Sequence, residues 1–248
     1  VTLQALAYPR SYSYPKLPLH ALAITLCWAY LAQPTRARRA GLAALVAVAA
    51  LFRPDHGMVI ALASLFAILW ADSRPAPARA KTALGFAATA AAFVLPWFIF
   101  VQSTTGLAAY ARSVIGFTST KADVGRMGWP SLRLDALVTS QNAEAFLYYL
   151  FVLLPFVGAV VLLRRGTAAA LMPHAAGRLW TVIILAACVN ATLLRNPLSN
   201  RLGDVAVPQT ILAAWLLPAA WHTLRASRPP VRFALRTGVV AVVALLTL

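Results

Sequence analysis

Leu51-Phe52-Arg53-Pro54-Asp55-His56-Gly57 is the stretch whose reading decides the fold. Thirteen apolar or small residues, Ala40 to Phe52, run into its polar centre, and fourteen largely apolar ones, Met58 to Ala71, run out of it. A guanidinium, a carboxylate and an imidazole between two apolar runs are costly in hydrocarbon unless they face water or a polar ligand. The turn is therefore expected at a membrane surface, as a candidate functional position. Pro54 suits the first position of a following helix, where its missing N–H costs nothing. Asp55 in the first turn complements the positive end of that helix. Two readings follow. Either Arg53 and Asp55 simply pair across a sharp hairpin turn, or Arg53 offers its planar, always-charged fork to a phosphate or a sugar hydroxyl. His56 beside them either satisfies a neighbour or exchanges a proton.

Working outward, the 248-residue chain is 61% hydrophobic and 11% charged, with a mean hydropathy of +0.74. Globular domains carry roughly 25% charged residues, so an integral membrane protein is expected. Eight apolar runs can be drawn, at about 17–33, 40–52, 58–71, 82–101, 145–163, 179–194, 205–224 and 234–248. A full span needs about 20 residues and at least about 17. The second and third runs are short, which suggests a tight hairpin that does not fully cross. The fold expected is all-α: a polytopic transmembrane helical bundle of about eight apolar segments, forming a single domain over 1–248.

The formal charge of +16 would point to nucleic acid in a soluble protein. Here the cations fall in short loops, where they set topology, and nucleic acid is not expected as a partner. With eight alternating passes and Arg36, Arg38 and Arg39 inside, thirteen of the 22 Lys and Arg lie on the inner side. Asp55, Asp123, Asp135, Glu144 and Asp204 fall outside, and Asp72 alone falls inside. This alternation predicts a multi-pass protein of the inner (plasma) membrane. Membrane lipids are its expected surroundings. The inner-loop cations are read as anchors at anionic headgroups.

The outer face then carries 1–16, the 53–57 turn, the extracytoplasmic loop 102–144 and the short loop 195–204. Within the long loop Leu107, Tyr110, Val114 and Phe117 recur at helical spacing, which predicts an interfacial helix. Ser131 to Val138, after Trp129-Pro130, is a second candidate helix. Lys121, Asp123 and Arg126 form a charged patch read as solvated surface or a phosphate contact. In the short loop, Asp204 reads as the N-cap of the next helix with Pro208 in its first turn. Arg201 and Asp204 are also a second Arg–acid combination at an outer helix mouth, and Arg195 suits the end of the helix before them. Tyr8, Tyr12, Tyr14 and Lys16 precede the first span, as belt residues or as a surface for a sugar and a point charge for a phosphate.

Other residues contribute little. Cys27 and Cys188 read as core thiols, without metal-ligand or disulfide patterning. His20 lies in an apolar run, His174 and His222 fall on the inner side, and these three are set aside. Asn190 and Thr192 are the mid-run polar residues, and Pro96 and Pro155 are positioned to kink their spans.

These features resemble the bacterial GT-C-type integral membrane glycosyltransferases. The resemblance is carried by short basic inner loops, the "LFRPDHG" turn (Leu51 to Gly57) and a long outer loop after "LPWFIF" (Leu95 to Phe100). It extends to "RLGDVAVP" (Arg201 to Pro208) and the "YSYPKLPLHALA" opening (Tyr12 to Ala23). It implies transfer of a sugar from a polyprenyl-phosphate donor to an acceptor at the extracytoplasmic face, within the cell envelope. Members of that group carry a catalytic Asp or Glu in a first large outer loop. No such loop precedes Tyr8, so the chain is read as a fragment whose catalytic base is expected upstream of Val1. Arg53, Asp55, His56, Arg201, Asp204 and Lys16 would then be substrate-binding. Many members use a divalent metal, but no paired acidic ligands are visible here and no metal ligand is assigned. The alternative is a multi-span transporter or flippase for a lipid-linked or small polar substrate.

Overall fold

The computed structural model describes residues 16–124, 129–133, 139–164, 175–195 and 201–226. Among them every regular element is a helix. They are α1 (Lys16–Ala32), α2 (Arg36–Phe52), α3 (Pro54–Phe66), α4 (Ala76–Thr104), α5 (Leu107–Val124), α6 (Ser140–Arg164), α7 (Ala175–Arg195) and α8 (Leu202–Ala226). A π-helical turn, Ala67–Ala71, prolongs α3.

Local chemistry sets several boundaries. Thr35 caps α2, its hydroxyl accepting from the Arg38 N–H at 3.3 Å, which satisfies one of the donors a helix start leaves unpaired. Arg53 alone joins α2 to α3, in extended backbone, and Pro54 opens α3 at its first position with Asp55 in the first turn. The Asp72 backbone is extended and ends the π-helical turn. At its far end α4 stops at Gly106, whose φ of +79° is open to glycine without a Cβ penalty. The Gly106 N–H closes back on the Val101 carbonyl at 2.9 Å.

Four segments are long and apolar enough to cross a membrane: Pro54–Ala71, Ala76–Thr104, Ser140–Arg164 and Ala175–Leu194. Lys16–Ala32 and Leu202–Pro218 are shorter apolar helices. The expected figure of about eight segments is thus not reached among the described residues. Seven of the runs do coincide with helices, but α2 opens on Arg36, Arg38 and Arg39 and is only 17 residues long. The run 234–248 lies outside the described residues. The hairpin expectation also changes: α2 and α3 do form one, but the α3 arm with its π-helical extension has the length to cross.

The centre of the bundle is α7, which packs on α1, α3, α6 and α8, while α2 packs on α1, α3 and α4. Lipid tails supply little hydrophobic drive between helices, so close approach of small side chains does more of the work. Ala43, Ala47 and Ala49 on α2 are buried accordingly. Most of the α4 surface is bare, including Leu84, Leu95, Ile99 and Phe100. Such a surface is unfavourable in water and matches hydrocarbon.

Prolines leave carbonyls that other side chains must satisfy. Pro155 lies inside α6, so the Phe151 carbonyl has no helical partner. The buried Asn190 of α7 donates to it at 2.8 Å, and Gln209 of α8 donates to the Asn190 carbonyl oxygen at 2.8 Å. Asn190→Ala is expected to cost about 1–3 kcal/mol, the usual penalty of an orphaned buried acceptor. Adding Pro155→Ala restores an N–H for Phe151 and should recover part of the loss in thermal unfolding. No recovery would show that Asn190 serves something other than that carbonyl.

Candidate functional site

One end of the bundle gathers four buried ionisable side chains. Lys16 and His20 are four residues apart on α1 and so share a face. His56 stands in the first turn of α3 and Asp204 in the first turn of α8. The Lys16 ammonium is bonded to Asp204 Oδ2. His20 Nε2 and His56 Nδ1 are 3.2 Å apart, with ring centroids 5.3 Å apart. One of those nitrogens must carry the proton and the other offer its lone pair. Pro208, inside α8, lacks the N–H that would bond the Asp204 carbonyl. His20 is fully buried, and Lys16, His56 and Asp204 are each below 9% exposed. His20 Nδ1 and Asp204 Oδ1 have no hydrogen-bond partner within the protein. Two unpaired buried polar atoms beside an ion pair are what a water or a polar ligand group would satisfy.

At the rim of this cluster stands the pair expected from the turn. Arg53 Nε donates to Asp55 Oδ1 at 3.0 Å and Nη2 to Oδ2 at 2.5 Å, a bidentate fork. Asp55 Oδ1 also accepts from the His56 N–H at 3.1 Å. The Arg53 and Asp55 side chains are 50% and 38% exposed. An ion pair that open is worth at most about 1 kcal/mol, so a phosphate can displace the carboxylate from Arg53 at little cost.

Several sequence expectations shift here. Asp204 is not an N-cap: α8 begins at Leu202, Pro208 lies within it, and the carboxylate turns to Lys16. Asp204 therefore answers Lys16 across the bundle, and Arg201 is half-buried beside the start of α8. His20, whose apolar run argues against a site role, is brought into the cluster by its contact with His56. Its spacing of four from Lys16 is the signal that would have found it. Tyr8, Tyr12, Tyr14, Arg126, Asp135 and His174 lie outside the described residues. The long loop does contain a helix where the spacing put one, in α5. Residues 129–133 are not helical; Asn142 pins them by accepting from the Arg133 N–H at 2.8 Å and donating to its carbonyl at 2.6 Å.

Among the described residues no three His, Cys, Asp or Glu side chains converge in a way that could hold a metal ion. The described residues thus offer no donor set for the divalent metal that the resemblance allows. Comparison with family models, curated proteins and solved structures found no match. The site must be read from its own chemistry.

The opposite end is built on arginines. The Asp72 carboxyl accepts from the Arg74 side chain, the Arg74 N–H and the Tyr30 hydroxyl. Burial alone would raise the Asp72 pKa; these hydrogen bonds outweigh it and hold the carboxyl below the usual carboxylate range. Trp28 Nε1 donates to the Arg178 carbonyl at 3.0 Å, tying α1 to α7 at this end. The two clusters lie at opposite ends of α1, with Lys16, Arg53–His56 and Asp204 at one end and Tyr30, Asp72 and Arg74 at the other.

Proposed function

We propose that this chain belongs to an integral membrane glycosyltransferase that moves a sugar from a polyprenyl-phosphate donor to an acceptor at the extracytoplasmic face of the plasma membrane. The observation that carries the reading is the exposed Arg53–Asp55 fork set directly over the buried Lys16, Asp204, His20 and His56 cluster. The donor leaves as a phosphate, and charge growing on its oxygen needs a cation placed beforehand. Arg53 is open enough to turn its fork from Asp55 to that oxygen. Lys16 acts from beneath, holding Asp204 and adding its positive charge to the site. His56 connects the rim to the buried cluster through its N–H to Asp55 and its ring to His20.

The test is sugar transfer in membranes by the full-length protein that contains this chain, supplied with polyprenyl-phosphate sugars and scored as kcat/KM. Arg53→Ala should lower it on the order of 10–100-fold, the worth of a charge-assisted hydrogen bond. Arg53→Lys should recover only part of it, lacking the bidentate fork. Unchanged turnover at normal expression would remove Arg53 from the site. The transporter or flippase alternative draws on the buried Asn190–Gln209 pair and the proline-interrupted helices. It predicts translocation of a lipid-linked sugar in proteoliposomes without any transfer product.

A further inference from the structure

Four cations, from α2, α4 and the α3–α4 connection, line one cavity at the arginine-rich end. The cavity, of about 300 Å³, is lined by Arg36 and Arg39 of α2, Arg74 of the α3–α4 connection and Lys81 of α4, with Tyr30 and Thr35 also on its wall. Only Arg74 has an acidic partner there, Asp72. Among the described residues Arg36, Arg39 and Lys81 form no ion pair. Topology signals need only lie in a loop; here Arg39 is wedged between helices and Arg74 is fixed by Asp72 and Tyr30. The Arg39 guanidinium rests against Gly85 of α4, so closely that a Cβ there would fall 2.6 Å from Nη1. Arg39 Nε is buried and has no hydrogen-bond partner. The cavity also adjoins the start of α2, the positive end of that helix dipole.

Three unmatched like charges around one space repel one another unless an anion sits among them. At about 30 Å³ per water, the volume admits a phosphate group together with a further polar unit. We infer that this cavity binds a phosphate-bearing anion, by charge-assisted hydrogen bonds from Arg36, Arg39 and Lys81. The source of the phosphate is either a lipid headgroup in the surrounding leaflet or a soluble diphosphate. Basic pockets between helices are built for the first; the second needs the same donors. The inference stands apart from the glycosyltransferase reading, since it uses the other end of the bundle and none of the same residues.

The experiment uses the full chain purified in a neutral detergent, with two probes. One arm titrates phosphatidylglycerol against phosphatidylcholine and follows bound lipid by native mass spectrometry. The other titrates inorganic pyrophosphate and follows the melting temperature. Arg36→Gln/Lys81→Gln should weaken binding at least about tenfold, as loss of two charge contacts implies. Arg112→Gln, an exposed change on α5, should leave it unaltered and matches the single variant Arg39→Gln in net charge. Arg36 and Lys81 are themselves exposed, so the double variant should fold; Arg39→Gln is a second route if it does not. A response confined to the lipid arm assigns a headgroup, and one in the pyrophosphate arm assigns a soluble diphosphate. The inference is overturned by no binding in either arm or equal binding of phosphatidylcholine. Equal loss in Arg112→Gln, or wild-type binding by the cavity variants, overturns it too.

Discussion

Lys16→Met is expected to destabilise the protein by about 3–5 kcal/mol, because it leaves the Asp204 carboxylate buried without its counter-ion. Lys16 is 6% exposed and Asp204 8%, and Asp204 Oδ1 has no partner even in the native protein. Burial this deep leaves solvent little access to replace the ammonium. The pair joins the first described helix to the last, so its loss also loosens α1 against α8. Lys16→Met/Asp204→Leu should recover most of the stability, since an apolar pair of similar volume is often no worse than a buried ion pair. Equilibrium unfolding of the detergent-purified chain measures both. A single-variant loss below about 1 kcal/mol would mean that water reaches Asp204 and that the cluster is an open surface. The double variant also separates stability from chemistry: it should fold well and still lose the positive charge under Arg53.

Why some of this was legible in the sequence and some was not comes down to range. The 53–57 turn could be read because proline at a helix start, an acid in the first turn and an Arg two residues before that acid are local facts. All of them appear as expected. The helix within 102–144 was likewise visible in the spacing of Leu107, Tyr110 and Val114. Pairings between distant helices were not. Lys16 and Asp204 are 188 residues apart, and nothing local distinguishes a carboxylate that caps its own helix from one turned to a lysine across the bundle. The apolar run around His20 hides its role, yet a buried polar residue in such a run needs a partner, and His56 supplies it. The arginine cavity was hidden for a related reason. Arg36, Arg39, Arg74 and Lys81 each satisfy the positive-inside pattern, so their convergence adds nothing to the charge map and shows only in three dimensions.

The second large effect is expected at Gly57, where a single methyl should disrupt the hairpin that carries the candidate site. A Cβ on Gly57 would lie 2.5 Å from the Ala50 Cβ, 2.6 Å from its Cα and 2.7 Å from its N. Two of those three atoms are backbone, so no rotamer change relieves the clash. With Arg53 alone joining α2 to α3, there is no slack in the connection to let the helices separate. Gly57→Ala should cost about 1–3 kcal/mol or more, the range of overpacking in a rigid core. Gly57→Leu should prevent accumulation of folded protein. Ala50→Gly removes only the Cβ, so in the Gly57→Ala background it should restore little. Full rescue by Ala50→Gly would show that α2 and α3 can shift, and that the turn is less rigid than its one-residue link implies. The same variants bear on function. His56 is the immediate neighbour of Gly57, and its 3.2 Å contact with His20 joins α3 to α1, so a shift of α3 forced by the clash with α2 moves His56 relative to His20. A displaced α3 should disturb that contact before it disturbs the exposed Arg53–Asp55 pair, whose two residues sit on the same turn. Gly57→Ala is therefore expected to lower any activity that needs the buried cluster while leaving the Arg53–Asp55 fork formed.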